Sequence, residues 1–521
     1  MSNSITLRRL PRLIRRPTSR DRLLANHRGL VRVACRTDCS VLIPVQILGT
    51  HGHPMPRISG LVFYAALAFV GCLAVVSASA GRVAAQDGNL PETPQLSDDS
   101  EAAALPEAGE SPSSSGQVPS LLAPERDSLK DFRDDPELLK ELILKLPEEA
   151  QGEAQSTLTR FRDTNDKLRL AMGELREIQI RYRNDLDRSP AAIIAYREKR
   201  EEVWGLMQDE FDAALDLIRF LPSSEAASYL VTMVQVHFDT DIYDQGTFEA
   251  AARLIDLGQN YRFLYLAGAR SAVATGKFKS ARQVYDALKD DDLEDADRQL
   301  QFHMDILEEQ FTEEQAAIAA TDPATLPQVR FETTMGSFLV ELFPETAPST
   351  VAHFLKLVRS GFYEGMDWSV VTPNVLALTG DTSNDGRGNS GEFLVDEHES
   401  EGNRNALRGS LIMAKIPLGK GEFIPNSASS QFAIPYLPIT SVSTNQTVFG
   451  RVIEGMDVVS RLRRVDPTKE KKKNEVQLPP DSIISAEIVR DAEDLPDPQY
   501  VDLQKEMEKA VKAGLLQSTK P

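Results

Sequence analysis

The hydrophobic pattern changes period near residue 327, and that change excludes a single architecture for the whole chain. From about 126 to 322 the sequence runs in Glu-, Lys-, Leu- and Ala-rich stretches with few glycines, the texture of amphipathic helices. From 327 the repeat shortens to two. VRFETTMGSFLVELF sets Val329, Phe331 and Thr333, then Phe338, Val340 and Leu342, on one side of a hairpin that turns at Gly336. APSTVAHFLKLVRSGF follows, with Pro348 where a helix starts and its missing N–H costs nothing, and Gly361 just past the end. Val351, Phe354, Leu355 and Val358 make one apolar stripe, and Lys356 and Arg359 suit the negative end of the helix dipole. Short strands between Gly-, Asn- and Pro-rich turns complete a pattern expected of an antiparallel barrel with a packed helix. At 521 residues the chain exceeds what one core supports, so the expectation is multidomain: an all-α, repeat-like region, then a β-barrel.

Ahead of both lies a segment of different character. Residues 1–85 carry twelve Arg, no Lys and only Asp21 and Asp38 as acids, a balance of +10. The whole chain is −20, so residues 86–521 carry −30. So strong an acidic excess argues against a nucleic-acid partner, which needs basic surface to neutralise phosphates. LVFYAALAFVGCLAVV (61–76) is one uninterrupted apolar run, short for a membrane span and suited to a signal-peptide core. Small-x-small cleavage signals follow at Ala78-Ser79-Ala80 and Val83-Ala84-Ala85. The basic region before the run is long for a leader, and a start at Met55 would give one of normal length. The alternative is an uncleaved membrane anchor. Cys35, Cys39 and Cys72 all lie in this leader, and a thiol-free remainder suits an oxidising compartment. The expected location is exported, periplasmic or anchored facing outside the cytoplasm. Residues 86–125, acidic and rich in Pro and Ser, read as a disordered spacer.

Within the helical region 126–322, Leu158, Phe161, Asn165, Leu168, Met172, Leu175, Gln179 and Tyr182 recur at 3–4 spacing. This is either a short coiled-coil seam or the packed stripe of an amphipathic helix. Further on, GTFEAAARLIDL (246–257) and GKFKSARQVYDAL (276–288) share Gly-x-Phe-x-x-Ala at a period of 30. Tyr265, Ala269, Gly276, Phe278, Ala281 and Tyr285 resemble the packing positions of a tetratricopeptide helix pair, although that family repeats at 34. A helical-repeat scaffold offering contacts to a protein partner and an unrelated helical bundle both fit. His237 and His303 stand alone, and no catalytic or metal constellation is visible here.

In the last domain, ELFPETAPSTVAHFLKLVRSGFYEG (341–365), Gly380-Asp381, Asp396-Glu397, RGSLIMA (408–414), SSQFAI (429–434), VFGRVIEGMDVVSRL (448–462) and DSIISAEIVRD (481–491) occur in an order that resembles the cyclophilin family. The resemblance covers residues 327–491. It implies a closed eight-stranded antiparallel barrel with two capping helices, peptidyl-prolyl cis-trans isomerase activity on proline-containing segments or unfolded proteins, and no cofactor. An X-Pro amide rotates over a barrier near 20 kcal/mol, and nothing covalent is needed to lower it. An apolar pocket holds the ring, hydrogen bonds hold the flanking backbone, and a cation aimed at the prolyl nitrogen favours the twisted amide. The family uses an Arg for that last task.

Aligned without gaps from Gly365 to Asp381, GFYEGMDWSVVTPNVLALTGD puts Val370 at the Arg position, Val375 at a pocket Phe, Leu376 at a Met and Leu378 at a Gln. Downstream, Ala414 matches the small groove residue, Gln431 the backbone-binding Gln, Ala433 a second pocket Phe and Val442 a pocket Leu, while Gln446 falls where many members have His. The resemblance therefore implies a partly apolar groove without its electrostatic element, and an isomerase of reduced activity. The alternative is a non-catalytic proline-peptide binder or scaffold. Val370, Val375 and Leu378 also fit as plain core, and Gln431 as a buried amide serving the backbone. Lys415 and Arg387 are the nearby cations that could substitute. The acidic run at Asp396, Glu397, His398 and Glu399 reads as a solvated loop. Residues 492–521 form a charged tail in which VDLQKEMEKAVKAGLL has one amphipathic face.

Overall fold

The computed structural model describes residues 134–184, 189–419, 422–440, 445–467, 478–492 and 494–514, all within one compact unit. The leader, the spacer and Val442 lie outside these residues. The helical region comprises α1 (Pro136–Leu144), α2 (Glu148–Asn184), α3 (Pro190–Phe220), α4 (Ser224–Asp239), α5 (Gln245–Asp256), α6 (Arg262–Ala274), α7 (Phe278–Ala287), α8 (Asp295–Phe302) and α9 (Met304–Ala320). Side chains cap several starts: Ser189, Ser223 and Asp244 accept from backbone N–H groups in the first turns of α3, α4 and α5. No helix of the described residues is long and apolar enough to cross a membrane.

Leu158, Phe161 and Leu168 of the 3–4 seam are buried, while Met172 and Tyr182 are exposed. Asn165, a polar interruption in that seam, donates to Glu210 Oε1 of α3 at 2.6 Å. The seam is thus the packed face of an α2–α3 hairpin within the chain. The two Gly-x-Phe-x-x-Ala copies form α5 and the turn into α7. Gly276 ends the preceding helix at φ 75°, and a Cβ there would lie 2.3 Å from the Phe311 ring. Ala281 is fully buried, as a close helix approach requires.

The β region opens with β1 (Gln328–Thr333) and β2 (Gly336–Leu342), paired Val329 to Val340, Phe331 to Phe338 and Thr333 to Gly336. This is the expected hairpin, and Phe331 and Phe338 stack at 4.9 Å between centroids. Next come α10 (Pro348–Arg359), β3 (Val370–Thr372), β4 (Leu376–Thr379), β5 (Phe393–Leu394), β6 (Ser410–Met413), β7 (Pro417–Gly419), β8 (Glu422–Phe423), β9 (Phe432–Pro435), β10 (Val448–Glu454), α11 (Met456–Ser460) and β11 (Ile483–Arg490). The main sheet has eight antiparallel strands in the order β11-β1-β2-β10-β6-β9-β4-β3.

The expected closed barrel is corrected here to a curled half-barrel. No ladder joins β3 to β11, the two ends of the sheet. The segment entering β3 meets β11 instead: Gly365 N–H donates to the Ile483 carbonyl and Ile483 N–H to the Met366 carbonyl, at 2.8 Å each, Asp367 bridges Ser482, and Trp368 N–H donates to the Asp481 carbonyl at 2.9 Å. The reason is local: β3 is only three residues long, and the chain entering it turns at Gly365, φ 77°. The amphipathic stretch of the tail docks on this domain. β12 (Tyr500–Val501) pairs with β5, and α12 (Leu503–Lys512) buries Ala510.

Candidate functional site: the apolar row across five strands

Opposed residues of an antiparallel sheet share a face. Val370 of β3 lies opposite Leu378 of β4, Leu378 opposite Ala433 of β9, Ala433 opposite Ile412 of β6, and Ile412 opposite Val448 of β10. The five make one row, all aliphatic, and each is less than a tenth exposed. Leu376, Phe343, Ala406 and Ile439 join the same cluster, with Val375 and Ala414 packed at its edge. The opposite face of these strands carries Val371, Ala377, Met413, Phe432 and Ile434, which belong to the main core with Phe354, Tyr363, Trp368 and Phe449.

Six of the eight expected site residues therefore meet in one place: Val370, Leu376, Leu378 and Ala433, with Val375 and Ala414 beside them. They belong to a second apolar layer, outside the main core. Ala414 N–H donates to the Gln431 carbonyl at 3.0 Å, tying these two positions together. The Gln431 amide is turned away from the row: Nε2 donates to the carbonyls of Gly388 (2.8 Å) and Gly386 (3.3 Å). Those carbonyls belong to a loop wound around the buried Asp381, whose carboxylate accepts from the N–H groups of Ser383, Gly386 and Gly388. Gln431 Oε1 and Gln446 Nε2 are both buried without a hydrogen-bond partner among the described residues.

The cations named from sequence do not enter the row. Lys415 Nζ is held by Asp396 Oδ2 at 2.5 Å and the Asn445 carbonyl at 3.0 Å, and Arg387 is exposed on the 381–388 loop. The acidic run divides its duties. Glu397 accepts from the Ser349 and Thr350 N–H groups at 2.9 Å each and so caps α10, whose own N-cap residue, Ala347, has no side chain able to do so. Asp396 pairs with Lys415. Among the described residues no group of three or more His, Cys, Asp or Glu side chains is placed to hold a metal ion.

Sequence reasoning missed the contacts that hold the β3–β4 turn. Asn374 sits there at φ 62°. Its Oδ1 accepts from Arg270 Nη1 (2.6 Å) of α6 and from the Tyr243 hydroxyl (2.9 Å), and its N–H donates to the Asp241 carboxylate at 3.1 Å. Arg270 is fully buried and forms a two-pronged bond to Asp297, at 2.9 and 2.6 Å. Burial pushes the Asp241 carboxyl up from its ordinary value, and Arg464, 2.7 Å away, pulls it down. The one hint in the sequence is an Arg inside the otherwise apolar LYLAGARSAVA. The helical region thus grips the turn that carries Val375, and Trp204 Nε1 adds a second contact at Asp457 of α11, 2.8 Å.

The model of the cyclophilin type peptidyl-prolyl cis-trans isomerase/CLD family matches residues 328–488. A peptidyl-prolyl cis-trans isomerase-like 1 protein of Aspergillus fumigatus is 36% identical over 170 residues, covering 32% of this chain and 98% of that protein. An Arabidopsis thaliana peptidyl-prolyl cis-trans isomerase, CYP18-2, is 33% identical over 150 residues, 28% of this chain and 87% of the relative. A peptidyl-prolyl cis-trans isomerase-like 2 protein of Gibberella zeae is 38% identical over 139 residues, 26% of this chain; the match spans only 23% of that longer relative. Among solved structures, a Cryptosporidium parvum cyclophilin is 24% identical, with 32% of this chain and 99% of the other covered at a TM-score of 0.26. With nearly the full length of a relative covered at more than a third identity, the chain belongs to the cyclophilin-type peptidyl-prolyl cis-trans isomerase family.

Proposed function

We propose that this chain is an exported cyclophilin-type protein that acts on proline-containing segments of unfolded polypeptides with strongly reduced isomerase turnover. One observation carries the reading: Val370, at the position the resemblance gives to the family Arg, is the first member of an uncharged aliphatic row. Without a donor aimed at the prolyl nitrogen, the twisted amide is stabilised only by desolvation and by contacts to the ring. The loss of one preorganised donor costs roughly 10²–10³ in rate. The helical region, fixed to the β3–β4 turn through Arg270 and Asp241, supplies a surface for a protein partner. The apolar run 61–76 with its small-x-small sites supports export through a leader, or attachment to a membrane if it is not removed. N-terminal sequencing of the native protein tests the leader: a mature end near residues 80–86 is expected, and one before residue 55 contradicts it.

A second reading, a proline-peptide binder or scaffold without turnover, is favoured by the uncharged, wholly aliphatic character of the row from Val370 to Val448. A proline-limited refolding assay separates the two. Turnover above background that Val370→Arg raises supports a weakened enzyme. Peptide affinity without catalysis supports the binder. Turnover in the range of an unimpaired enzyme contradicts both.

A further inference from the structure

Beyond the end of β6, one residue past Ala414, lies a separate polar pocket of about 330 Å³. Asp396, His398, Glu399, Lys415 and Asn426 line it, with Phe423 as an apolar wall. Asp396 and Lys415 are a buried pair, their side chains 10% and 5% exposed. Asp396 Oδ2 is fully used: it accepts from Lys415 Nζ at 2.5 Å and from the Asn426 N–H at 2.9 Å. The other oxygen, Oδ1, is buried and has no partner among the described residues, and the same holds for His398 Nδ1. Leaving such atoms unsatisfied is unfavourable, so a donor from outside the fold has something to gain. Burial holds the His398 imidazole below its ordinary value, Lys415 acting in the same direction, so the ring is neutral and offers an acceptor. Glu399 stands exposed at the rim. Next to the pocket, Asn426 donates to Glu506 of α12, which is itself paired with Lys509.

The charges that face the pocket are two carboxylates, Asp396 and Glu399, against one ammonium, Lys415, which is already committed. The complement is a cation that brings several N–H donors and no acceptor, which describes a Lys or Arg side chain. We propose that this pocket takes the basic side chain of a polypeptide lying along the Ala414–Gln431 edge, so that segments with Lys or Arg close to the proline are preferred. The inference rests on the peptide-binding reading above. It concerns selection of the segment, whatever the rate of turnover.

The test uses the full chain and two dye-labelled peptides, Ala-Arg-Ala-Pro-Ala and the same peptide with citrulline for Arg, which keeps the shape and removes the charge. Anisotropy titration is expected to show about tenfold tighter binding of the Arg peptide, the scale of one charge-assisted hydrogen bond. Glu399→Gln should shrink the gap several-fold without changing the citrulline affinity. Equal binding of both peptides would overturn the pocket assignment while leaving the peptide-binding reading intact. If neither peptide binds, that reading fails, and the pocket is then tested alone by saturation-transfer NMR with Nα-acetylarginine amide. Transfer that Glu399→Lys abolishes supports the pocket, and no transfer, the result for a cleft that holds only water, overturns it.

Discussion

On the inner face of the sheet Phe331, Phe338, Trp368, Phe432 and Phe449 interlock with Phe354 and Tyr363 at centroid distances of about 5–6 Å. On the outer face of the same strands Val370, Leu378, Ala433, Ile412 and Val448 lie in a row without an aromatic ring. Both layers are buried, yet they do different work. The inner layer carries the shape-specific packing that sets strand register and holds α10. The outer layer stands where the family resemblance places recognition and catalysis, and there the side chains are short, aliphatic and uncharged. Strands β4, β6 and β9 are consequently buried at every position. The fold has been kept while the face that would act on a prolyl amide has lost its charged and aromatic side chains.

Substitutions on the two faces, and at the contact that joins the helical region to them, should separate these roles. Arg270→Met removes a fully buried cation and leaves Asp297 uncompensated, an expected loss of about 3–5 kcal/mol in urea unfolding. A loss below 1 kcal/mol would mean that the grip on Asn374 is incidental. Phe432→Ala, on the inner face, should cost about 3–5 kcal/mol, since five aromatic rings surround that side chain. Leu378→Gln restores the residue type of the family on the outer face. In a closed aliphatic layer it should destabilise by about 1–3 kcal/mol, whereas an open groove would accept it at almost no cost. The smallest effect concerns pH. Burial holds His353 at about 4, below its ordinary value. Between roughly pH 6.5 and 4 the unfolded chain therefore takes up a proton there that the folded chain refuses, so stability falls as pH falls, by at most about 1.4 kcal/mol per unit. Urea midpoints at pH 7 and pH 5 should show this slope in the parent relative to His353→Gln, and parallel slopes would contradict it.

Local periodicity makes the hairpin and its helix legible in the sequence alone. Phe331 faces Phe338, Pro348 opens α10, and Gly361 follows its end at φ 70°. The amphipathic tail, too, docks as a short helix. Long-range partnerships are not legible, because spacing carries no record of them. Glu397 reads as part of a solvated acidic loop and instead caps a helix 47 residues earlier in the chain. Arg270 reaches Asn374 across 104 residues. Family alignment does bring Val370, Leu376, Leu378 and Ala433 to one place, since strand register conveys position faithfully. It does not reveal that Phe343, Ala406 and Ile439 pack among them, a matter of loops and strand ends.

Accessibility of the outer row tests the central claim most directly, and the lack of cysteine after residue 72 makes it simple to measure. With Cys35, Cys39 and Cys72 replaced by serine, a thiol placed at Ala433 can be timed against a thiol-reactive dye beside one at the exposed Ser383. The buried row protects position 433 by about a hundredfold or more in the ligand-free protein, since labelling, like entry of a prolyl segment, must wait for local opening, which slows turnover further. Matching rates at the two positions would show an open cleft in the native state and contradict the account.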